Sequence, residues 1–148
     1  MPEGKAGGSL DNGLITDSFE PAPAETANPW VALAARIHSG YDAKEPFDSF
    51  YMFGFETGLL TYDAFKAAGH NPTRQDIVTA IEKDGKGFAG PWLAPLGFSG
   101  TDHDAALGVQ MGTISDNQLN LSGQVYTATD TTPVTVCSGA PSPVPASF

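Results

Sequence analysis

The hydrophobic pattern of this chain changes its period once, at Gly90-Pro91. Before this point, apolar residues recur every three or four positions, which is typical of one face of an α-helix. After it, they alternate with small or polar residues, which is typical of β-strands. A chain of 148 residues with 41% hydrophobic residues is long enough to bury one core. The sequence therefore predicts an α/β fold in which helices come first and a strand pair comes last.

Three helices are predicted before the change, each followed by a glycine. Asn28 before Pro29 is a favourable helix start, and Thr73 with Asp76 resembles a capping box. The second helix is apolar around much of its circumference. We therefore expect it to be buried on more than one side, with Phe53 in the core. Phe55 is predicted to be a core residue as well. The first helix is predicted over 28–40 and the third over 73–85. The second is predicted to start between 49 and 55 and to end at 68.

The remaining segments are assigned from composition and alternation. A short strand is predicted at 14–16, and a hairpin with a polar turn is predicted from about 105 to 127. Residues 1–13 are Gly-rich and polar, and residues 128–148 contain mainly Thr, Ser, Pro and Ala. We therefore predict a flexible N-terminus over 1–13, a folded part over 14–127 and a disordered tail over 128–148.

Acidic residues outnumber basic ones, and this excludes several classes of partner. The formal net charge is −10, and no Lys or Arg follows Lys86. Nucleic acids and anionic lipids are bound by basic surfaces, so we expect this chain to bind neither. No apolar run approaches the roughly 20 residues of a membrane span. Residues 1–10 have no apolar core, so we predict no secretory signal.

Asp102-His103, followed by Asp104, is the pair most suggestive of chemistry. A zinc site needs three or four protein ligands, and the other histidines do not have a suitable spacing. We interpret the pair as a polar turn in which His103 hydrogen-bonds the backbone. Cys137 has no base near it in the sequence, and no G-x-S-x-G nucleophile motif occurs. We therefore predict no catalytic residue, no metal and no cofactor.

An ordered series of motifs over residues 14–127 carries a family resemblance. In order, these are the helix ending at Gly40-Tyr41, the aromatic-led helix 54–65 with its exit Ala67-Ala68-Gly69, and the segments 72–77, 88–91, 96–99 and 102–103. The series resembles the C-terminal part of the type I periplasmic binding proteins. These are the substrate-binding components of ABC importers for branched-chain amino acids and related molecules (Leu/Ile/Val-binding-like).

This resemblance implies a part of a two-lobed fold with Rossmann-like lobes. It also implies a substrate-binding component, or a truncated fragment of one, that binds an amino acid or similar small molecule by lobe closure without catalysis. The implied partner is a membrane permease, and the family is periplasmic or attached to the cell surface. In the family an aromatic residue just before the second helix lies at the mouth of the cleft. This places Phe50, and next to it Tyr51, beside the ligand.

Two other functions remain open from the sequence. One is a ligand-sensing regulatory domain of the same fold, because such folds are reused for sensing. The other is an enzyme of unknown class that uses the Asp102-His103 turn. The apolar second helix also predicts self-association of the isolated chain, because exposed apolar surface of this kind drives association.

Overall fold

The computed structural model describes residues 11–116, 118–129 and 131–146. Residues 1–10 of the predicted flexible N-terminus lie outside the described residues. Within the described ranges the chain is of mixed α/β class, with three helices and a four-stranded antiparallel sheet. In chain order the elements are β1 (Ile15–Ser18), α1 (Pro29–Tyr41), α2 (Ser49–Ala68), α3 (Arg74–Asp84) with a 3₁₀ turn (Gly85–Gly87), β2 (Gly108–Ser115), β3 (Gln118–Thr129) and β4 (Thr132–Val136).

Each helix begins at a side-chain cap, and the predicted helix bounds are confirmed to within a few residues. The Asn28 side chain accepts a hydrogen bond from the Trp30 backbone N–H at 2.9 Å. At the start of α3, Thr73 and Asp76 form the predicted capping box, with reciprocal bonds of 2.8 and 3.2 Å. Such caps satisfy backbone donors that have no partner inside the helix. The helix starts therefore follow from local chemistry.

The sheet has the order β1-β2-β3-β4, and each neighbouring pair is antiparallel. The predicted hairpin is confirmed as β2 and β3, in which Val109 pairs with Tyr126. The register shifts between Gln110 and Gly112, as in a β-bulge. The predicted short strand is β1, which adds to the free edge of β2. The first and last strands of the described chain are thus the two opposite edges of one sheet.

The prediction of a disordered tail over 128–148 is wrong for the described part of that segment. β4 pairs with β3, and the carbonyl oxygen of Ser142 accepts a 2.6 Å hydrogen bond from the Trp30 indole N–H. Val144 packs against the cluster that contains Trp30. Two physical reasons outweigh the polar composition. Four of the five residues of β4 are β-branched, which favours a strand. β3 also offers an unpaired edge on which a strand with a proline at position 133 can form.

The core consists of three adjoining clusters. Two of them join α1 to α2, around Trp30 and around Met52. The third joins α2 and α3 to the segment 88–98, which has no regular secondary structure. This segment is nevertheless mostly buried, because its bulky side chains pack against α2 and α3. Its members of the third cluster are Phe88, Trp92, Leu96 and Phe98.

The predicted burial of α2 on more than one side is wrong within the described part of the chain. One side packs against α1 and α3, whereas the opposite side is exposed. Phe53, predicted to be a core residue, exposes 53% of its surface, although its ring contacts Phe19 edge-on. Phe55 does lie in the core region, packed near Trp30. Both sides of α2 are apolar in sequence, but α1 and α3 cover one of them.

Gly108→Ala is expected to lower the free energy of unfolding by about 1–3 kcal/mol. β2 begins at Gly108 directly against the buried segment, and a Cβ there would overlap the Cβ of Ala94. Gly100→Ala is the matched control, because a Cβ at Gly100 meets no atom within 4 Å. Urea unfolding of both variants measures the difference. Equal midpoints would show that β2 does not depend on this close approach.

Candidate functional site

Phe50 and Tyr51, the predicted ligand-adjacent residues, lie on the first turn of α2. The structure does not bring them to one surface. Phe50 points outward and exposes 62% of its surface. Tyr51 turns the other way, and its ring packs 4.7 Å from the ring of His38 and 5.5 Å from that of Phe47, measured between centroids. A ligand that touches both residues would have to wrap around the start of α2.

The His38–Phe47–Tyr51 cluster is an aromatic wall between the end of α1 and the start of α2. His38 Nε2 is 2.8 Å from the carbonyl oxygen of Glu45, which orients the imidazole ring. Burial, with a smaller contribution from the negative charge of Asp42, raises the pKa of Tyr51 above that of an ordinary tyrosine. The phenol is therefore neutral at physiological pH. The cluster can support apolar and aromatic contacts.

A concave site lies on the sheet, and we call it the sheet groove. It is an open groove with a volume of about 520 Å³. The segment before β2 forms one wall, and β2, β3 and β4 form the rest. Neither Phe50 nor Tyr51 contributes to it. The lining residues are Asp104, Ala105, Ala106, Leu107, Val109, Tyr126, Thr127, Ala128, Thr129 and Val134.

The chemistry of the sheet groove is that of a small apolar site with a negative end. Alanine, leucine and valine side chains dominate the lining, and Tyr126 adds an aromatic ring and a hydroxyl group. Asp104 is the charged residue of the described lining, and the sequence has no Lys or Arg after Lys86. No Lys or Arg of the described lining neutralises the Asp104 carboxylate. The groove therefore favours a ligand that has an amino group next to an apolar part.

The Asp102-His103 turn forms as predicted, but with a different partner for the histidine. The Ser99 N–H donates to the carbonyl oxygen of Asp102 at 2.7 Å, and the Asp102 side chain accepts from the Asp104 N–H at 2.9 Å. His103 Nε2 lies 3.2 Å from Glu82 Oε1, so its predicted hydrogen bond to the backbone is wrong. Across the described ranges, no three His, Cys, Asp or Glu side chains are grouped so as to hold a metal ion.

A buried pair of carboxyl groups, Glu20 and Glu56, was missed by the sequence analysis. Glu20 follows β1 and is 6% exposed, and Glu56 lies in α2 and is 5% exposed. The two carboxyl groups are close enough for the ionisation of each to depend on the other. Within the described part of the chain, the Oε2 atom of each has no hydrogen-bond partner. The signal was present in the sequence, because Glu56 falls on the helical stripe that buries Met52 and Leu59.

Burial controls the ionisation of this pair. It raises the pKa of Glu20 to about 7 and that of Glu56 to about 8, the latter with a further contribution from the charge of Glu20. Near neutral pH the pair therefore retains at least one proton. Paired carboxyl groups of this kind can act as acid and base where a substrate reaches them. These two are almost fully covered, so their effect is on the stability of the fold.

Comparisons with known proteins identify no relative: no family model, no curated protein and no solved structure matches this chain. In the described part of the chain, none of the helices combines the length and the apolar character that crossing a membrane requires.

Proposed function

We propose that this chain binds a small molecule with an amino group, such as a branched-chain amino acid, without catalysis. The observation that carries the proposal is the sheet groove, whose volume of about 520 Å³ lies within the range of small-molecule sites. Asp104 would receive the amino group, and the apolar lining around Val109 and Tyr126 would hold the side chain. No activated nucleophile is part of the described lining, which favours binding over turnover.

The biological role we propose is that of a substrate-binding component, or a fragment of one, of an ABC importer. The motif series over residues 14–127 supports this role by its resemblance to the type I periplasmic binding proteins. In such proteins two lobes close on the ligand, and the closed form docks on a membrane permease. On this proposal the chain acts outside the cytoplasm and supplies one wall of the binding site.

The proposal leaves two candidate positions for the ligand, and substitutions can distinguish between them. The family resemblance supports a ligand at Phe50, and the shape and lining of the sheet groove support a ligand in the groove. The groove is better suited to recognition, because it combines a concave apolar surface with a carboxylate. Phe50 offers an exposed ring alone. We therefore propose the groove as the primary site and Phe50 as the competing site.

Tyr126→Ala is expected to weaken the binding of leucine about 5- to 150-fold, the usual effect of losing one aromatic contact. Tyr41→Ala is the matched control, because Tyr41 is 90% exposed at the end of α1 and lies outside the groove lining. Titration calorimetry measures both variants. Isoamylamine, which keeps the amine, and 4-methylpentanoate, which keeps the carboxylate, separate the two ends of the ligand. Binding of the amine should be weakened by Asp104→Asn.

Two results would contradict these proposals in different ways. If Phe50→Ala weakens leucine binding while Tyr126→Ala does not, the ligand lies at α2 and the groove assignment is wrong. If no amine-containing ligand binds the parent protein at millimolar concentration, the proposed function itself is wrong.

A further inference from the structure

The exposed side of α2 carries a regular pattern, and we call it the outer face of α2. Its four aromatic residues each expose more than half of their surface. A Cβ built on Gly54 or Gly58 would meet no atom within 4 Å, so no described element covers the middle of the face. The outer face consists of the exposed residues Phe50, Phe53, Gly54, Thr57, Gly58, Thr61, Tyr62 and Phe65.

These eight residues form two rows of positions four apart, and both rows have the same design. One row is Phe50-Gly54-Gly58-Tyr62, and the other is Phe53-Thr57-Thr61-Phe65. Each row has aromatic residues at its ends and small residues in its middle. The outer face is therefore a saddle, low at its centre and high at both ends.

The two threonines of the saddle have no donor left to satisfy. The Thr57 hydroxyl donates to the carbonyl oxygen of Phe53, and the Thr61 hydroxyl donates to that of Thr57, both at 2.8 Å. Covering these residues would therefore cost little, because the polar groups already have partners inside the helix. The centre of the face behaves as an apolar surface.

From this pattern we infer that the outer face of α2 binds the same face of a second copy, with the two helices antiparallel and crossing near Thr57 and Gly58. Two helices that cross at an angle are closest at the crossing point and diverge on both sides of it. Small residues at the centre permit the close approach, and aromatic residues at the ends fill the widening gap. In a two-fold interface residue i contacts residue j while j contacts i.

The sequence of α2 fits this two-fold rule about a centre between Thr57 and Gly58. An antiparallel pairing about that centre places aromatic residues opposite aromatic residues and small residues opposite small residues. The resulting pairs between one copy and the other are Phe50 with Phe65, Phe53 with Tyr62, Gly54 with Thr61, and Thr57 with Gly58.

Charge favours a second copy at this face over other parts of the surface. The chain has a net charge of −10, so two copies repel each other wherever acidic surfaces meet. None of the eight residues of the outer face is charged. Lys66, whose amino group lies 5.5 Å from the centre of the Tyr62 ring, flanks the face at its C-terminal end. The same pairing places Lys66 opposite Ser49 of the second copy, one residue from Asp48, so that opposite charges lie near each other at both ends of the rim.

Gly58→Leu tests the interface without weakening the fold, because leucine is a better helix former than glycine and has open space there. Sedimentation velocity of the parent protein should show a monomer–dimer equilibrium at concentrations up to about 1 mM. Gly58→Leu should raise the dissociation constant at least about tenfold and leave the thermal midpoint of the monomer equal or higher. Gly40→Leu is the matched control, since Gly40 lies in α1 with equally open space.

Disulfide trapping tests the orientation of the two helices. With Cys137 replaced by serine, Thr57→Cys should cross-link two copies on mild oxidation, because the residue lies next to the two-fold axis. Phe50→Cys should not, because in the antiparallel pairing the two copies of residue 50 lie about 22 Å apart along the helix axes. The inference is overturned if the parent protein is monomeric or if Gly58→Leu leaves the dissociation constant unchanged. It is also overturned if Phe50→Cys cross-links as readily as Thr57→Cys.

Discussion

Glu56→Gln is expected to make the protein more stable than the parent above pH 8, by a few kcal/mol, since each unit of pKa shift corresponds to about 1.4 kcal/mol. The pKa of Glu56 rises from 4.5 to about 8 on folding, so the folded protein holds a proton that the unfolded chain releases. Stability from this group is therefore fully present below about pH 4.5. It is lost as the pH rises through the folded value of about 8.

The partner carboxyl group acts in the same direction. The pKa of Glu20 rises to about 7, so the free energy of unfolding of the parent should fall across the range from pH 5 to pH 9. A glutamine at position 56 cannot ionise, and its amide can donate a hydrogen bond to the Glu20 carboxylate. The variant should therefore show a much shallower fall than the parent.

Urea unfolding at pH 5, 7 and 9 measures this effect. At pH 5 the free energies of unfolding of the parent and of Glu56→Gln should differ by no more than the contribution of one hydrogen bond, roughly 0.5–1.5 kcal/mol. Glu45→Gln is the control, because Glu45 is exposed and its substitution should leave the pH dependence unchanged. If the parent is equally stable at pH 5 and pH 9, the carboxyl pair does not carry a shared proton.

The carboxyl pair also shows where sequence reasoning reaches its limit. Glu56 lies on the buried stripe of α2, so its own burial could have been predicted from periodicity. Its contact with Glu20 could not, because the 35 residues between them fold back through α1 before the two side chains meet. Local signals specify helices and turns. Contacts between distant residues depend on the packing of the whole core.

The helix starts were predictable for the opposite reason. Asn28 and Thr73 accept hydrogen bonds from backbone N–H groups two and three residues later, so a few neighbouring residues determine where each helix starts. β4 was missed because it depends on the free edge of β3, a feature that composition does not record. The two sides of α2 are similarly apolar in sequence, and the packing of α1 and α3 decides which one is covered.

For the candidate site, individual residues could be predicted but their arrangement could not. Phe50 and Tyr51 are adjacent in the chain, yet the helix turns one outward and the other into the His38 cluster. The sheet groove was not predicted at all. Part of its lining lies in the segment that was assigned to a disordered tail, namely Ala128, Thr129 and Val134. The sequence-based assignment of 128–148 to a disordered tail therefore concealed part of this groove.

The second large effect is expected at Trp30, which contacts the C-terminal part of the described chain through Ser142 and Val144. Its side chain is 3% exposed and packs with Leu33 and Leu59. Trp30→Ala should lower the free energy of unfolding by about 3–5 kcal/mol, because it leaves a large cavity between α1 and α2. Urea unfolding measures this loss. It does not by itself show what the indole N–H contributes to the tail.

Trp30→Phe isolates that contribution. Phenylalanine keeps much of the apolar contact but cannot donate to the Ser142 carbonyl oxygen, which the indole N–H reaches at 2.6 Å. Amide hydrogen exchange over residues 138–146 should therefore become faster in Trp30→Phe, at temperatures where the rest of the fold is intact. Trp92→Phe is the matched control. The Trp92 indole N–H donates to the carbonyl oxygen of Phe88, within its own segment, so that variant should leave exchange in the tail unchanged. If Trp30→Phe exchanges over 138–146 as the parent does, the tail is held by β4 and by apolar contacts, and the hydrogen bond to Ser142 does not order it.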